Sequence, residues 1–189
     1  KMKILISKHP LPLVLLLLQL LQPLQFQDNE RRYDLPPDKA DEFEDYLEEF
    51  SSTGPTRPPT KKKFIRLSLI GTERTLSDSF FCTDTVRLKN VHNKSRCVTE
   101  HNFIVMPYDD VKNLCYTRYV ECKNGIKKCH RSRLPIEGVY CKLRRGTTLP
   151  DCDYDSTYKM GFVLITCRWQ NSIKKLVPVH VNDILVLQD

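Results

Sequence analysis

The apolar positions of this chain change pattern three times. Leu11 to Leu21 is an almost unbroken aliphatic run of 11 residues, preceded by Lys1, Lys3 and Lys8. A basic start followed by an apolar stretch too short to span a bilayer predicts a secretory signal segment, placed at residues 1–26. Residues 27–60 read differently. Ala40, Phe43, Tyr46, Leu47 and Phe50 stand at helical spacing between Asp38 and Phe50, with acids between them. The spacing permits a short amphipathic helix, but the density of like charge favours a disordered leader. Gly54 to Thr60 contains Pro55, Pro58 and Pro59 and reads as a linker.

From Lys61 the pattern becomes that of a folded body, residues 61–189. Helices are predicted over 61–69, 78–89 and 108–116. The last has Val111, Leu114 and Cys115 on one face and Asp109 and Asp110 at its start. The chain then turns to β-branched and aromatic runs over 138–143, 160–167 and 176–181, which predict strands. Helices first and antiparallel strands afterwards is an α+β order.

Charge sharpens the division. The chain of 189 residues carries a net +7, but residues 1–27 hold +3, residues 28–60 hold −6 and residues 61–189 hold +10. A basic body follows an acidic leader. Basic bodies attract phosphates, anionic lipid or acidic glycans, although a positive excess is as often a solvated, soluble face. With 40% hydrophobic residues the chain is not wholly disordered, and a single long apolar run excludes a multi-spanning membrane protein.

All eight cysteines lie in the body: Cys82, Cys97, Cys115, Cys122, Cys129, Cys141, Cys152 and Cys167. An even count behind a signal segment predicts four disulfides in an oxidising compartment. No Cys-x₂₋₄-Cys pair is present, so zinc is not expected, and neither is another metal or cofactor. Counting alone leaves about 105 pairings open.

The successive cysteine intervals are 15, 18, 7, 7, 12, 11 and 15. Cys122-Lys-Asn-Gly-Ile-Lys-Lys-Cys129 forms a short loop, followed by Cys152-Asp-Tyr154 and Pro178-Val-His180. Lys63-Phe64-x-Arg66 stands 18 residues before the first cysteine, counted from Phe64. Together these resemble the pancreatic-type ribonuclease family over residues 60–187. The resemblance implies three helices on a curved antiparallel sheet. It also implies the pairs Cys82–Cys141, Cys97–Cys152, Cys115–Cys167 and Cys122–Cys129.

Family chemistry needs a base for the 2′-hydroxyl, an acid for the leaving oxygen and a cation for the phosphorane. The resemblance assigns these to a first-helix histidine, a last-strand histidine and a lysine after the second cysteine. His180 matches the last-strand histidine, behind a hairpin four residues longer than in the well-known members. Asn182 stands where the family orients that histidine with an aspartate, and Asp183 is one residue out of register. The first-helix histidine position holds Ser68, and the neighbouring glutamine is Leu67. The lysine position is Val98, and the pyrimidine-reading threonine is Asn102, beside the core residue Phe103. Serine is no base without its own activator, and valine offers no charge. Each loss removes roughly 10²–10³-fold or more of rate. The chain thus resembles the non-catalytic, secreted branch of that family.

Lys123, Lys127, Lys128 and Arg131 gather around the small disulfide loop, and Lys63 and Arg66 lie on the first helix. These are the candidate anion-binding residues. Asn93-Lys-Ser95 is a glycosylation sequon. His92 and His130 read as surface histidines. The resulting expectation is a secreted, extracellular, monomeric binding protein that does not insert stably in a membrane. Its expected partners are anionic glycans, a bacterial envelope or the sperm surface, and RNA without sequence preference. By resemblance, its setting is sperm maturation or host defence. The competing expectation is a weak ribonuclease that uses His180 with His101 as a non-standard base.

Overall fold

A computed structural model describes residues 58–188 together with Phe43 and Tyr46. The signal segment and nearly all of the leader and linker lie outside the described residues. The chain divides into two compact units, Lys1–Leu47 and Glu48–Asp189. In the first, Phe43 and Tyr46 are helical and exposed. The second carries the fold, and among the described residues no helix is long and apolar enough to cross a membrane.

Helix α1 spans Lys61–Ser68. The Thr60 hydroxyl accepts the Lys63 amide at 3.1 Å and so caps its first turn, while Phe64 and Ser68 form the buried face. Helix α2 spans Phe81–Leu88 and begins three residues later than the sequence predicts. Asp78 turns the chain instead: its carboxylate accepts the Phe80 amide at 2.9 Å, and its carbonyl accepts Phe81 N–H at 3.0 Å. An Asx side chain that binds the backbone two residues on favours a turn over a helix interior. Strand β1, Glu100–Ile104, precedes helix α3, Tyr108–Leu114, whose first turn holds Asp109 and Asp110 at the positive end of the helix dipole.

Strands β2 (Val120–Glu121), β3 (Lys127–Arg131), β4 (Ile136–Arg145), β5 (Asp153–Gln170) and β6 (Lys175–Val186) complete the element order. The sheet is antiparallel throughout, in the order β1-β4-β5-β3-β2, with β6 also paired to β5. Strand β5 is 18 residues long because it serves two sets of partners. Its first half pairs with β4, and its second half runs between β3 and β6. The exchange falls at Gly161, which pairs with both Ile136 and Val186. A Cβ there would sit 2.0 Å from the Leu185 carbonyl oxygen, so only glycine permits the approach.

Two apolar clusters fill the two sides. One joins α2 to β1, β4 and the start of β5 through Phe81, Val86, Phe103, Val139 and Tyr154. The other joins α1 and α3 to β5 and β6 through Phe64, Val111, Val163, Ile165 and Ile184. The disulfides are Cys82–Cys141, Cys97–Cys152, Cys115–Cys167 and Cys122–Cys129, as the family pairing implies. Three close separations of 52–59 residues, where cross-linking restricts the unfolded chain most.

Candidate functional site

Strands β1 and β6 and the small disulfide loop enclose a polar cleft of about 360 Å³. Its lining includes Glu100, His101, Asn102, Lys123, His180 and Asn182. Strand pairing builds it. His180 stands opposite Thr166 on β5, and the register between β5 and β6 shifts on either side of this pair. The β5–β6 ribbon continues beyond Cys167, and His180 lines the cleft. His180 is exposed at the surface, yet the protein around it disfavours the charged imidazolium and lowers its pKa.

Nothing in the cleft holds His180 as an acid. The Asn182 carboxamide oxygen accepts the Lys123 backbone amide at 2.9 Å and ties the disulfide loop to β6. The Asp183 carboxylate accepts the Ile184 amide at 2.8 Å. Both candidates for orienting His180 are therefore engaged with backbone. Ser68 is buried on α1, 5% exposed. Val98 packs against the apolar cluster around α2, and its carbonyl accepts the Tyr154 hydroxyl at 2.7 Å.

His101 does reach the cleft, as expected, but not as a base. Its Nε2 lies 2.6 Å from the Leu67 carbonyl, and a carbonyl only accepts, so Nε2 carries the proton. The ring meets the edge of Phe103 at 4.6 Å between centroids. Burial pushes its pKa down to about 4, with a smaller contribution from nearby His180; the Leu67 carbonyl opposes the shift without cancelling it. A base works best with a pKa near the working pH. Near neutrality His101 is a neutral, anchored imidazole of low basicity.

The cleft also holds an acid to which the sequence reading assigned no role. Glu100 accepts the Tyr140 hydroxyl at 2.6 Å and pairs with the Lys123 ammonium at 3.4 Å. The Tyr140 bond, and secondarily Lys123, hold the Glu100 carboxyl below the usual range. Tyr140 is pushed up to about 12, first by desolvation and then by Glu100. Lys123, the one candidate cation in the cleft, thus already faces a carboxylate. Asn102 is 6% exposed, and its side-chain oxygen has no partner among the described residues.

The candidate anion-binding residues separate. Arg66 lies on α1, but its guanidinium donates to the Lys89 carbonyl and, at 3.3 Å, to the Asn90 carbonyl. It caps the C-terminus of α2 while remaining exposed. Lys63 is half-buried on α1. Lys127, Lys128 and Arg131 are exposed on β3, where Arg131 lies 4.0 Å from the Phe162 ring centroid. None of these three forms an ion pair among the described residues. Asn93 is exposed at a tight turn in which Lys94 and Ser95 adopt φ of 50° and 62°.

His130 is not a surface histidine. It is 1% exposed, with Nδ1 2.9 Å from the Thr117 carbonyl and the Tyr119 ring 4.6 Å away. The cause is strand alternation: β3 pairs His130 with Ile165, which lies in the apolar cluster beside α3. His92 is half-buried and accepts the Ser95 amide at 2.9 Å. Among the described residues no group of three or more His, Cys, Asp or Glu side chains could hold a metal ion.

The model of the family described as pancreatic ribonuclease matches residues 59–182. Over 184 residues the chain is 53% identical to "Inactive ribonuclease-like protein 9" of Pongo pygmaeus, covering 97% of this chain and 90% of that one. The protein of the same name from Papio anubis is 53% identical over the same shares. That from Gorilla gorilla gorilla is 51% identical over 185 residues.

Proposed function

The chain belongs to the pancreatic ribonuclease family, and we propose that within it this protein acts by binding anionic surfaces rather than by cutting RNA. One observation carries the reading: the cleft keeps His180 but offers it no working partner. Ser68 and Val98 supply neither base nor cation, His101 is held by Leu67 at low basicity, and Lys123 faces Glu100. The similar proteins bear the word "inactive" in their names, which supports the same conclusion.

Binding falls to the exposed cations of β3, Lys127, Lys128 and Arg131, which no carboxylate neutralises among the described residues. Their targets in this reading are acidic glycans, a bacterial or sperm surface, or RNA without sequence preference. The protein is secreted, carries a glycan at exposed Asn93, and works in sperm maturation or host defence.

The test is cleavage of single-stranded RNA by the refolded, oxidised chain beside a Ser68→His/Val98→Lys variant, with circular dichroism as a check on folding. Wild type is expected to be silent and the folded variant to cut. Cleavage by wild type that disappears in His180→Ala would reject the non-catalytic reading.

A further inference from the structure

The β5–β6 ribbon projects beyond the disulfide Cys115–Cys167 and ends in a turn at residues 171–174. Its last pairs are Arg168–Val177, Trp169–Leu176 and Gln170–Lys175. Trp169, the only tryptophan of the chain, is 55% exposed, and Ile173 in the turn is 50% exposed. Arg168, Lys174 and Lys175 are exposed around them and form no ion pair among the described residues. No acid occurs anywhere from Ser156 to Asn182. Val177 and Pro178 are buried at the base of the ribbon, so the tip is presented from a fixed support.

We propose that this hairpin tip is a peripheral docking element for an anionic lipid surface. The inference deepens the binding reading above: it rests on that reading for the sign of the target charge, and it places the membrane contact on the hairpin rather than on β3.

The chemistry of the tip selects lipid among anionic targets. An indole prefers the headgroup level of a bilayer, where its ring meets acyl chains and its N–H meets water. Ile173 is aliphatic, so it has no stacking partner in RNA and no apolar partner in an acidic glycan, whereas acyl chains accept it. Arg168, Lys174 and Lys175 then remain at the level of the lipid phosphates, where each basic residue near an anionic leaflet adds attraction. A second copy of the chain is a poor occupant, because a two-fold contact would bring like charges of two tips together. The contact is superficial and does not amount to stable insertion.

The sole tryptophan reports directly on the tip. The full oxidised chain is mixed with phosphatidylcholine vesicles, with vesicles containing phosphatidylglycerol, and separately with heparin. Trp169 emission should shift to the blue only with the anionic vesicles, and the shift should weaken with salt. Trp169→Ala/Ile173→Ala should lower cosedimentation with those vesicles about tenfold or more, by loss of apolar contact. It should leave heparin binding unchanged. Lys127→Gln/Lys128→Gln/Arg131→Gln should retain the blue shift. Absence of a shift with anionic vesicles overturns the hairpin proposal, and retained heparin binding then shows that the broader binding reading survives. An equal shift with heparin, or equal loss of heparin binding in the tip variant, makes the tip a general polyanion contact and overturns the lipid assignment.

Discussion

The cleft and the hairpin tip lie on the same two strands, yet they treat their charges in opposite ways. Thr166 opposite His180 marks the cleft, and Gln170 opposite Lys175 marks the tip, about 13 Å farther along the ribbon. In the cleft, Lys123 faces Glu100, Asn182 holds the Lys123 amide and His101 is tied to Leu67. At the tip, Arg168, Lys174, Lys175, Trp169 and Ile173 face solvent. A catalytic site needs polar groups that are free to act on a substrate. A site whose groups bind one another has turned those groups to structural use. Among the described residues, exposed cations without ion pairs stand instead on β3 and at the tip.

The largest expected effect comes from releasing the tip from its support. Cys115→Ala/Cys167→Ala opens a link between residues 52 apart in sequence at the base of the ribbon. It should cost about 2–5 kcal/mol in urea-denaturation stability. A loss well under that range would mean that strand pairing alone holds the ribbon.

A smaller effect tests whether the cleft histidine is structural. His101 takes up a proton near pH 4 when folded and near 6.5 when unfolded. The unfolded chain therefore binds more protons between these values, and stability falls as pH falls through that window. Above pH 6.5 the contribution is complete, and by pH 4 it costs up to about 3 kcal/mol. His180 is shifted in the same direction, because the surrounding protein disfavours its charged form, and adds to the same trend. Urea midpoints compared at neutral pH and near pH 4.5 should show a steep decline in wild type and a shallower one in His101→Gln. Equal slopes would mean that His101 is solvated and available to substrate.

The smallest effect lies at the tip. Trp169→Ser and Lys174→Gln remove exposed side chains and should change stability by no more than about 0.5 kcal/mol. A larger loss of thermal stability would mean that Trp169 packs on the body and is not held ready for a partner.

Local pattern carried much of the architecture. Helices α1 and α3 and the centres of β4, β5 and β6 were legible from apolar spacing, because burial on one face imposes a period on the sequence. Strand β3 was not legible: Lys127-Lys-Cys-His-Arg131 has no apolar alternation beyond a cysteine. His130 was misplaced with it, since an isolated histidine shows no sign of burial until its strand is paired. Helix α2 was drawn too long because Asp78 acts through a turn. In the site, Ser68, Val98, Asn102 and His180 could be located by likeness to a family motif. The disulfide pairing came from that likeness as well, since cysteine counting leaves every pairing open.

Composition, cysteine spacing and apolar period were enough to establish a basic, disulfide-bonded α+β body and to mark the positions where ribonuclease chemistry should stand. They did not reveal which of its charges are free. Arg66 is used at residues 89 and 90, Lys123 at residue 100 and His101 at residue 67. Each of these contacts joins side chain and partner across more than twenty residues of chain. Such pairings leave no periodic trace in sequence, because they depend on how α1, β1 and the small disulfide loop are brought together. Folding engages those side chains with partners, Arg66 and Lys123 at the surface and His101 within the cleft, and leaves the cations of β3 and the hairpin tip exposed without ion pairs among the described residues.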